Sequence, residues 1–186
     1  FAITQTANFN KVIRYKGLNN YSSFSEQFAE EFARSGLYID EVLNTLSPLP
    51  YTSALGLQTY LIDTIIVNGD TSVRAAPEDI LDAGQAVQQE MFKTTQGGIY
   101  ELALAGAFNK GDKWFFGGTL GIPIVHYKSN STFTETDTSS NAFNGFKSFT
   151  YRDNFKTIGA GVNIKLGIIY RPQDYIRLGL AIHTPS

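Results

Sequence analysis

Four stretches in the second half of the chain alternate between large apolar residues and small or polar ones: 98–108, 114–126, 156–170 and 176–184. In 156–170 the even positions from Ile158 to Tyr170 are apolar, whereas the odd positions from Thr157 to Gly167 are small or polar. Residues two apart share a face of a β-strand, so each stretch presents one apolar face and one small or hydrated face. This pattern is typical of the wall of a membrane-spanning β-barrel.

A soluble β-sandwich is the alternative reading of the same alternation. Its strands bury their apolar face against a second sheet and usually carry charged or threonine-rich residues outside. Here the second face is rich in glycine, which fits a crowded barrel lumen better. A fifth strand is predicted over 1–16, with Phe1, Ile3, Ala7, Phe9, Ile13 and Tyr15 on one face. About eight strands make the smallest filled barrel, so we expect residues 1–186 to be part of one longer β-barrel domain.

Two short spacers predict the topology. Residues 109–113 and 171–174 carry the Gly, Pro, Asn and Asp of tight turns, and they would bring Phe108 close to Trp114 and Tyr170 close to Ile176. Outer-membrane barrels keep short turns on the periplasmic side and long loops outside.

The long connections are therefore expected on the extracellular side. Residues 127–155 are predicted to be an extracellular loop with a tip from Glu135 to Ser148, and 17–97 a larger, partly helical insertion. Residues 53–67 fit a buried strand or a helix equally well. If that stretch crossed the membrane, every later orientation would invert.

Sequence patterns typical of helices occur within residues 17–97. Ser23 and Glu26 form a capping box, Gly36 suits a helix C-cap, and Phe24, Phe28 and Phe32 recur every fourth residue between them. Two further helices are predicted, one from Asp40 to Leu46 and one from Pro77 to Phe92.

Composition narrows the function classes. Charged residues are 17% of the chain, below the usual proportion of about 25%, and aromatic residues are 13%, as expected for a wall with interfacial aromatic girdles. A net charge of −2 with scattered Lys and Arg argues against nucleic acid. We expect no enzyme, metal or cofactor, because His126 and His183 lie on different strands and neither is close to a nucleophile motif.

Four segments resemble one transporter family: Trp114-Phe-Phe-Gly-Gly-Thr-Leu-Gly-Ile-Pro-Ile124, Ser131-Thr-Phe-Thr-Glu135, Leu166-Gly-Ile-Ile-Tyr-Arg-Pro172 and Leu178-Gly-Leu-Ala-Ile-His-Thr-Pro185. Together they look like the FadL/TodX family of outer-membrane hydrophobic-compound transporters. The resemblance implies a barrel of about fourteen strands in the outer membrane of a Gram-negative bacterium. It also implies that 17–97 and 127–155 form an extracellular groove that captures long-chain fatty acids or other hydrophobic compounds.

A different function remains open on the same fold. A FadL-like barrel could serve as an outer-membrane scaffold or shuttle partner in protein secretion, offering its loop tips to a protein without moving lipid. Both interpretations need outer-membrane lipid around the wall, and only the first needs a groove open to small hydrophobic molecules.

Two sets of residues are candidate ligand sites. The groove candidates are Phe24, Phe28, Phe32, Leu37, Leu43 and Leu46; the alternative is that they form the small core of the insertion. Lys165 and Arg177 are predicted to face inward and could pair with a fatty-acid carboxylate; the alternative is that they balance Glu101 or other acids.

Overall fold

Antiparallel β-sheet makes up most of the chain, and its helices are few and short. A computed structural model describes residues 1–44, 46–67, 70–141 and 143–185; Thr45, Asn68, Gly69, Ala142 and Ser186 lie outside the described residues. The strands are β1 (Ala2–Asn8), β2 (Lys11–Asn19), β3 (Ile62–Val67), β4 (Asp70–Ala75), β5 (Val87–Lys110), β6 (Trp114–Asp137), β7 (Ser148–Ala160), β8 (Asn163–Gln173) and β9 (Ile176–His183). The helices are α1 (Glu26–Ser35), α2 (Ile39–Val42), α3 (Ser53–Gln58) and α4 (Glu78–Asp82). The β-rich fold class predicted from the sequence is confirmed.

Most of the strands belong to one sheet. Its order is β1-β5-β6-β8-β9, with β2 also pairing with β5 and β7 also pairing with β6, while β3 and β4 form a separate hairpin. No helix in the described part of the chain has the length and apolar character needed to cross a membrane.

The chain divides into two compact units. The first contains residues 1–12, 93–131 and 153–186, and the second contains 13–92 and 132–152. Both β5 and β6 contribute residues to each unit. The second unit gathers most of the predicted insertion with the middle of the predicted 127–155 loop.

Cross-strand register in the first unit confirms the two-faced strands. Ile168 lies opposite Phe116 on β6 and Leu180 on β9, and Gly167 lies opposite Gly117 and Ala181. Directly opposite residues share a face of the sheet. At these positions one face carries large apolar side chains and the other small ones, as the alternation predicted. Nearer the turn Phe115 lies opposite Ile169, so the second face is not small throughout.

One of the two predicted turns is confirmed, and the other lies further along the chain than predicted. After β5 the chain turns through Gly111 and Asp112, both at positive φ, and the Asn109 amide donates to Asp112 at 2.6 Å. The second turn lies at residues 174–175, later than predicted, so that Gln173 pairs with Ile176. Tyr170 lies opposite Leu178, and the predicted neighbour Ile176 is wrong for this reason.

The predicted strand 156–170 is two strands. β7 ends at Ala160 and β8 begins at Asn163. At this break the Gly161 N–H donates to the Pro123 carbonyl at 2.9 Å. Proline has no N–H to complete the pair, so the ladder with β6 is interrupted there.

The first predicted strand is also broken, and its residues do not share one face. Ile3 pairs with Leu102 and Ala7 with Ile99, because the register shifts between Gln5 and Ala7. Leu102 and Ile99 are three residues apart on β5 and therefore point to opposite faces. The bulge places Ile3 and Ala7 on different sides of the sheet.

In the second unit the predicted long helix from Pro77 to Phe92 is wrong. α4 stops at Asp82, where Gly84 takes a φ of 71°. The Gln85 N–H donates to the Ile80 carbonyl and the Gly84 N–H to the Leu81 carbonyl, which is the pairing of a Schellman stop. From Val87 onward the chain is strand β5.

Other predicted elements of this unit are right in part. Residues 53–67 contain both of the predicted possibilities, helix α3 and strand β3. α2 is shorter than the helix predicted from Asp40 to Leu46 and ends at Val42. The predicted loop 127–155 is largely strand, since β6 continues to Asp137 and β7 begins at Ser148, close to the predicted tip.

Candidate functional site

The phenylalanine stripe of α1 faces the core of the second unit. Phe28 is 3% exposed and Phe32 6% exposed. The buried residues packed with them are Ala29, Val42, Ala54, Leu57, Ile62 and Ala75, from α1, α2, α3, β3 and β4. The helix is amphipathic because a stripe repeating every fourth residue lies on one side of it, and the structure buries that side.

Phe24 belongs to an aromatic cluster at the start of α1. Its ring stacks on Phe133 of β6 with centroids 4.4 Å apart and meets Phe28 edge-on at 5.6 Å. Tyr151 of β7 lies 5.7 Å from Phe24 and 5.6 Å from Phe28. The cluster packs the first turn of α1 against β6 and β7.

A fully buried carboxylate fixes the same turn. Glu135 is 0% exposed and accepts hydrogen bonds from the Ser23 hydroxyl, from the Phe24 N–H at 3.1 Å and from the Gln89 side-chain amide at 2.8 Å. Buried carboxylates need such donors because their desolvation is costly. Glu135 thus joins β5, β6 and the start of α1.

The predicted capping box is only half formed, since the Ser23 hydroxyl accepts from the Ser25 N–H at 3.1 Å, while the Glu26 N–H donates to the Ser23 carbonyl. The other half is present, with the Ser23 N–H donating to Glu26 Oε1 at 2.6 Å. Burial raises the pKa of Glu26; the Ser23 hydrogen bond opposes this, and the nearby Glu78, Glu135 and Glu30 charges add to it. Helix α1 ends as predicted at Gly36, with a left-handed φ of 67°.

Beyond Gly36 the second unit has an apolar groove of about 680 Å³. It is lined by Phe32, Ala33, Gly36, Leu37, Tyr38, Ile39, Asp40, Thr64, Thr71 and Val73. Helix α1 and the segment after it form one wall, and the β3–β4 hairpin forms the other. The volume lies in the range of about 300–1,000 Å³ that is usual for small-molecule sites.

Of the residues predicted for a groove, the structure brings two to this lining, Phe32 and Leu37. Phe24 and Phe28 lie in the packing described above. Leu43 is exposed and Leu46 is 90% exposed, and neither is part of the lining.

Sequence reasoning missed the second wall of the groove. Thr64, Thr71 and Val73 come from the hairpin in which Ile65 pairs with Ser72. The apolar run 61–67 was a signal for this element, but its partner strand 70–75 is polar and carries a weak strand pattern.

The groove suits an elongated apolar molecule with a polar end. Phe32, Leu37, Ile39 and Val73 offer carbon surface, and the hydroxyls of Tyr38, Thr64 and Thr71 offer hydrogen bonds. Asp40 adds a negative charge at the lining. No group of three or more His, Asp or Glu side chains able to hold a metal occurs among the described residues.

The predicted cations of the sheet have different surroundings. Lys165 Nζ lies 2.8 Å from Glu101 Oε1, the acid named in the alternative to a ligand role. Arg177 is exposed on β9, and it makes no ion pair within the described part of the chain. Lys165 also lines a shallow depression of about 720 Å³ together with Thr119 and His183.

Comparisons of the chain with protein-family models, with curated proteins and with solved structures found no match.

Proposed function

We propose that the protein is part of an outer-membrane β-barrel of the FadL/TodX kind that takes up long-chain fatty acids or other hydrophobic compounds. The groove beside Phe32 and Leu37 captures the ligand. This groove is the observation that carries the proposal, because it offers a small molecule an apolar surface of suitable size. The Phe28 face, which is closed by packing, has no direct part in capture.

The apolar face of the sheet supports the membrane placement. Its side chains on the edge strand β9 are Leu178, Leu180 and Ile182, all largely exposed. On β6 the face runs from Trp114 to Ile124, ten residues further along. Ten residues span about 34 Å along a strand, or about 24 Å at a tilt of 45°, which matches a lipid-facing band of about 25 Å.

Aromatic side chains mark the turn end of that face. Phe108 stacks on Phe116 with centroids 4.8 Å apart, and Trp114 stacks on Tyr170 at 4.1 Å. Aromatic girdles are typical of the two interfaces of a membrane barrel. The proposed lipid boundary therefore lies close to the turn at Gly111.

Capture by the groove needs no charge on the ligand. Burial contributes about 0.8 kcal/mol per methylene, so five methylenes contribute about 4 kcal/mol, or roughly a thousandfold in affinity. The Lys165 cation is neutralised by Glu101, and so carboxylate recognition in the barrel is not required by the proposal.

The test is a pair of substitutions at two apolar residues of the second unit. Ile39→Ser removes part of the groove lining, and Leu46→Ser changes an exposed leucine outside it. We expect Ile39→Ser to weaken binding of a fluorescent long-chain fatty acid about fivefold to thirtyfold, and Leu46→Ser to leave it unchanged. Equal binding by both variants and the unchanged protein would remove the groove from the function.

The scaffold or shuttle function has an observation of its own. Tyr38, Leu46 and Ile66 of the second unit are each exposed by more than three quarters. A protein partner would bury such side chains, whereas a small ligand in the groove leaves Leu46 uncovered. Loss of a secretion partner by Leu46→Ser, with fatty-acid binding intact, would favour this second function.

A further inference from the structure

Two lysines lie directly opposite each other on the apolar face of the first unit. The Gly161 N–H bonds to the Pro123 carbonyl at one end of the β6–β7 pairing and the Asp137 N–H bonds to the Lys147 carbonyl at the other, and both bonds give the same antiparallel register. Five residues further along each strand, Lys156 on β7 meets Lys128 on β6. Since hydrogen-bonded and non-hydrogen-bonded pairs alternate, this is a closely spaced pair with Cβ atoms about 4.5–5.5 Å apart.

The two lysines point to the same side as the lipid-facing residues. Tyr127 and Phe155 contact each other, with ring centroids 6.1 Å apart, on the opposite face. Side-chain exposure on β6 agrees with these two faces: Ile124, His126 and Lys128 are exposed, whereas Tyr127 is half-buried. The lysine pair thus continues the apolar face beyond Ile124.

Like charges placed directly opposite each other on a sheet destabilise it. Neither lysine forms an ion pair within the part of the chain that the structure describes. The residues two positions away on the same face of β6 and β7 are His126, Asn130, Asn154 and Ile158, none of which is acidic. The arrangement is therefore complementary to an external anion.

The position of the two lysines along their strands indicates what kind of anion they bind. Lys128 lies fourteen residues beyond Trp114 on β6. That distance is about 48 Å along the strand and about 34 Å along the membrane normal at a tilt of 45°, which exceeds the apolar band and reaches the head-group region. Exposed Ile124 and Ile158 adjoin the pair on the side of the apolar face.

We propose that Lys128 and Lys156 form a clamp for the phosphate group of a lipid whose hydrocarbon tails cover Ile124 and Ile158. The inference rests on the proposed placement of the apolar face in the membrane. A phosphate between the two ammonium groups removes their repulsion and fixes the outer boundary of the wall in the bilayer. Juxtamembrane lysines are attracted to anionic lipid surfaces through this same interaction.

The experiment measures binding of three probes to the full chain refolded in neutral detergent. The probes are a short-chain phosphatidic acid, the diacylglycerol with the same acyl chains, and inorganic phosphate. We expect phosphatidic acid to bind more tightly than diacylglycerol, and the preference to decrease as salt is raised. The double variant Lys128→Gln and Lys156→Gln should lower the affinity for phosphatidic acid about thirtyfold and leave that for diacylglycerol unchanged.

Two further variants test whether the effect is specific to these two lysines. One controls for the loss of a positive charge elsewhere, and the other controls for loss of stability. Lys147→Gln removes an exposed lysine of the second unit and should leave all three affinities unchanged. Lys156→Glu places a carboxylate opposite Lys128, so it should stabilise the lipid-free protein while abolishing the preference for phosphatidic acid.

Each other outcome overturns the clamp. Equal binding of phosphatidic acid and diacylglycerol would leave the membrane face in place and remove the phosphate site. Inorganic phosphate competing as well as phosphatidic acid would identify a soluble anion instead of a lipid. Binding of neither lipid would contradict the clamp and the membrane placement together, and an unchanged double variant would contradict the clamp alone.

Discussion

Trp114 and Tyr170 lie directly opposite each other on β6 and β8, with ring centroids 4.1 Å apart and planes 27° from parallel. Trp114 also stacks on Phe116 at 6.3 Å, and Phe116 stacks on Phe108 at 4.8 Å. Four aromatic rings from three strands thus form one continuous row. The row closes the turn end of the sheet on its apolar face.

Replacing the tryptophan tests how much this row stabilises the sheet. Trp114→Ala removes the contacts with Tyr170 and Phe116, and aromatic pairs contribute about 0.5–1.5 kcal/mol beyond their buried area. We expect a loss of about 2–4 kcal/mol in the free energy of unfolding, measured by urea titration in detergent. Tyr175→Ala, at an exposed turn residue, is the control and should cost less than about 0.5 kcal/mol. Equal losses would show that the row has no special part in stability.

Two neighbouring residues of β9 test the orientation of the sheet. Leu180 lies on the apolar face opposite Ile168, and Ala181 lies on the small-residue face opposite Gly167. Leu180→Arg should impair insertion into lipid vesicles, because a cation at the bilayer midplane costs about 2–4 kcal/mol, whereas Ala181→Arg should be tolerated better. The measurement is the folded fraction by heat-dependent gel mobility. If the alanine variant is the more damaging one, the lipid-facing side has been assigned the wrong way round.

Removal of the buried carboxylate should release the start of α1. Glu135→Ala removes the acceptor of the Phe24 N–H and one of the partners of the Ser23 hydroxyl and the Gln89 amide, and a buried group left unsatisfied costs about 1–3 kcal/mol. We expect faster hydrogen exchange of the α1 amides, with little change in β8 and β9. Glu135→Gln keeps one acceptor oxygen and should give an intermediate effect. Unchanged protection of α1 in the alanine variant would argue against this anchor.

Titration of Glu26 should make the second unit less stable as pH rises. Its pKa is raised above 4.5 by burial, so the folded protein holds this proton more tightly than the unfolded chain does. Stability from this group is fully present below pH 4.5 and is lost as pH rises through the raised pKa. Glu26→Gln should flatten that part of the profile in thermal unfolding measured across the pH range. A slope identical in both proteins would rule out Glu26 as its source.

The sequence predicted best what depends on neighbouring residues alone. Alternation over 176–184 is local, and strand β9 lies where it indicates. The break at Gly161 could not be predicted in the same way, because it depends on the missing N–H of Pro123 on another strand. Pro123 was visible in the sequence, but its partner residue was set by a pairing distant along the chain.

In the candidate site, too, the features that could not be predicted depend on residues distant along the chain. Periodicity predicted Phe24, Phe28 and Phe32 on one side of a helix, and Phe28 and Phe32 do lie on α1, while Phe24 precedes it. Whether that side is open depends on what packs against it. Ile62 and Ala75, which help to cover it, come from a hairpin more than twenty residues away in sequence. The helix predicted to reach Phe92 is wrong for a different reason: Gly84 ends the helix, and the apolar residues Val87 and Phe92 beyond it belong to strand β5.

The hydrogen bond between Glu135 and Ser23 also affects the order in which parts of the chain can fold. The two residues are separated by 112 positions, and ordering such a distant contact requires closing a long loop. During synthesis α1 emerges early, yet the acceptor that anchors its first turn is added only when β6 is nearly complete. The start of α1, and with it the side of the groove that this helix forms, can therefore reach its final packing only after the chain has been made through Glu135.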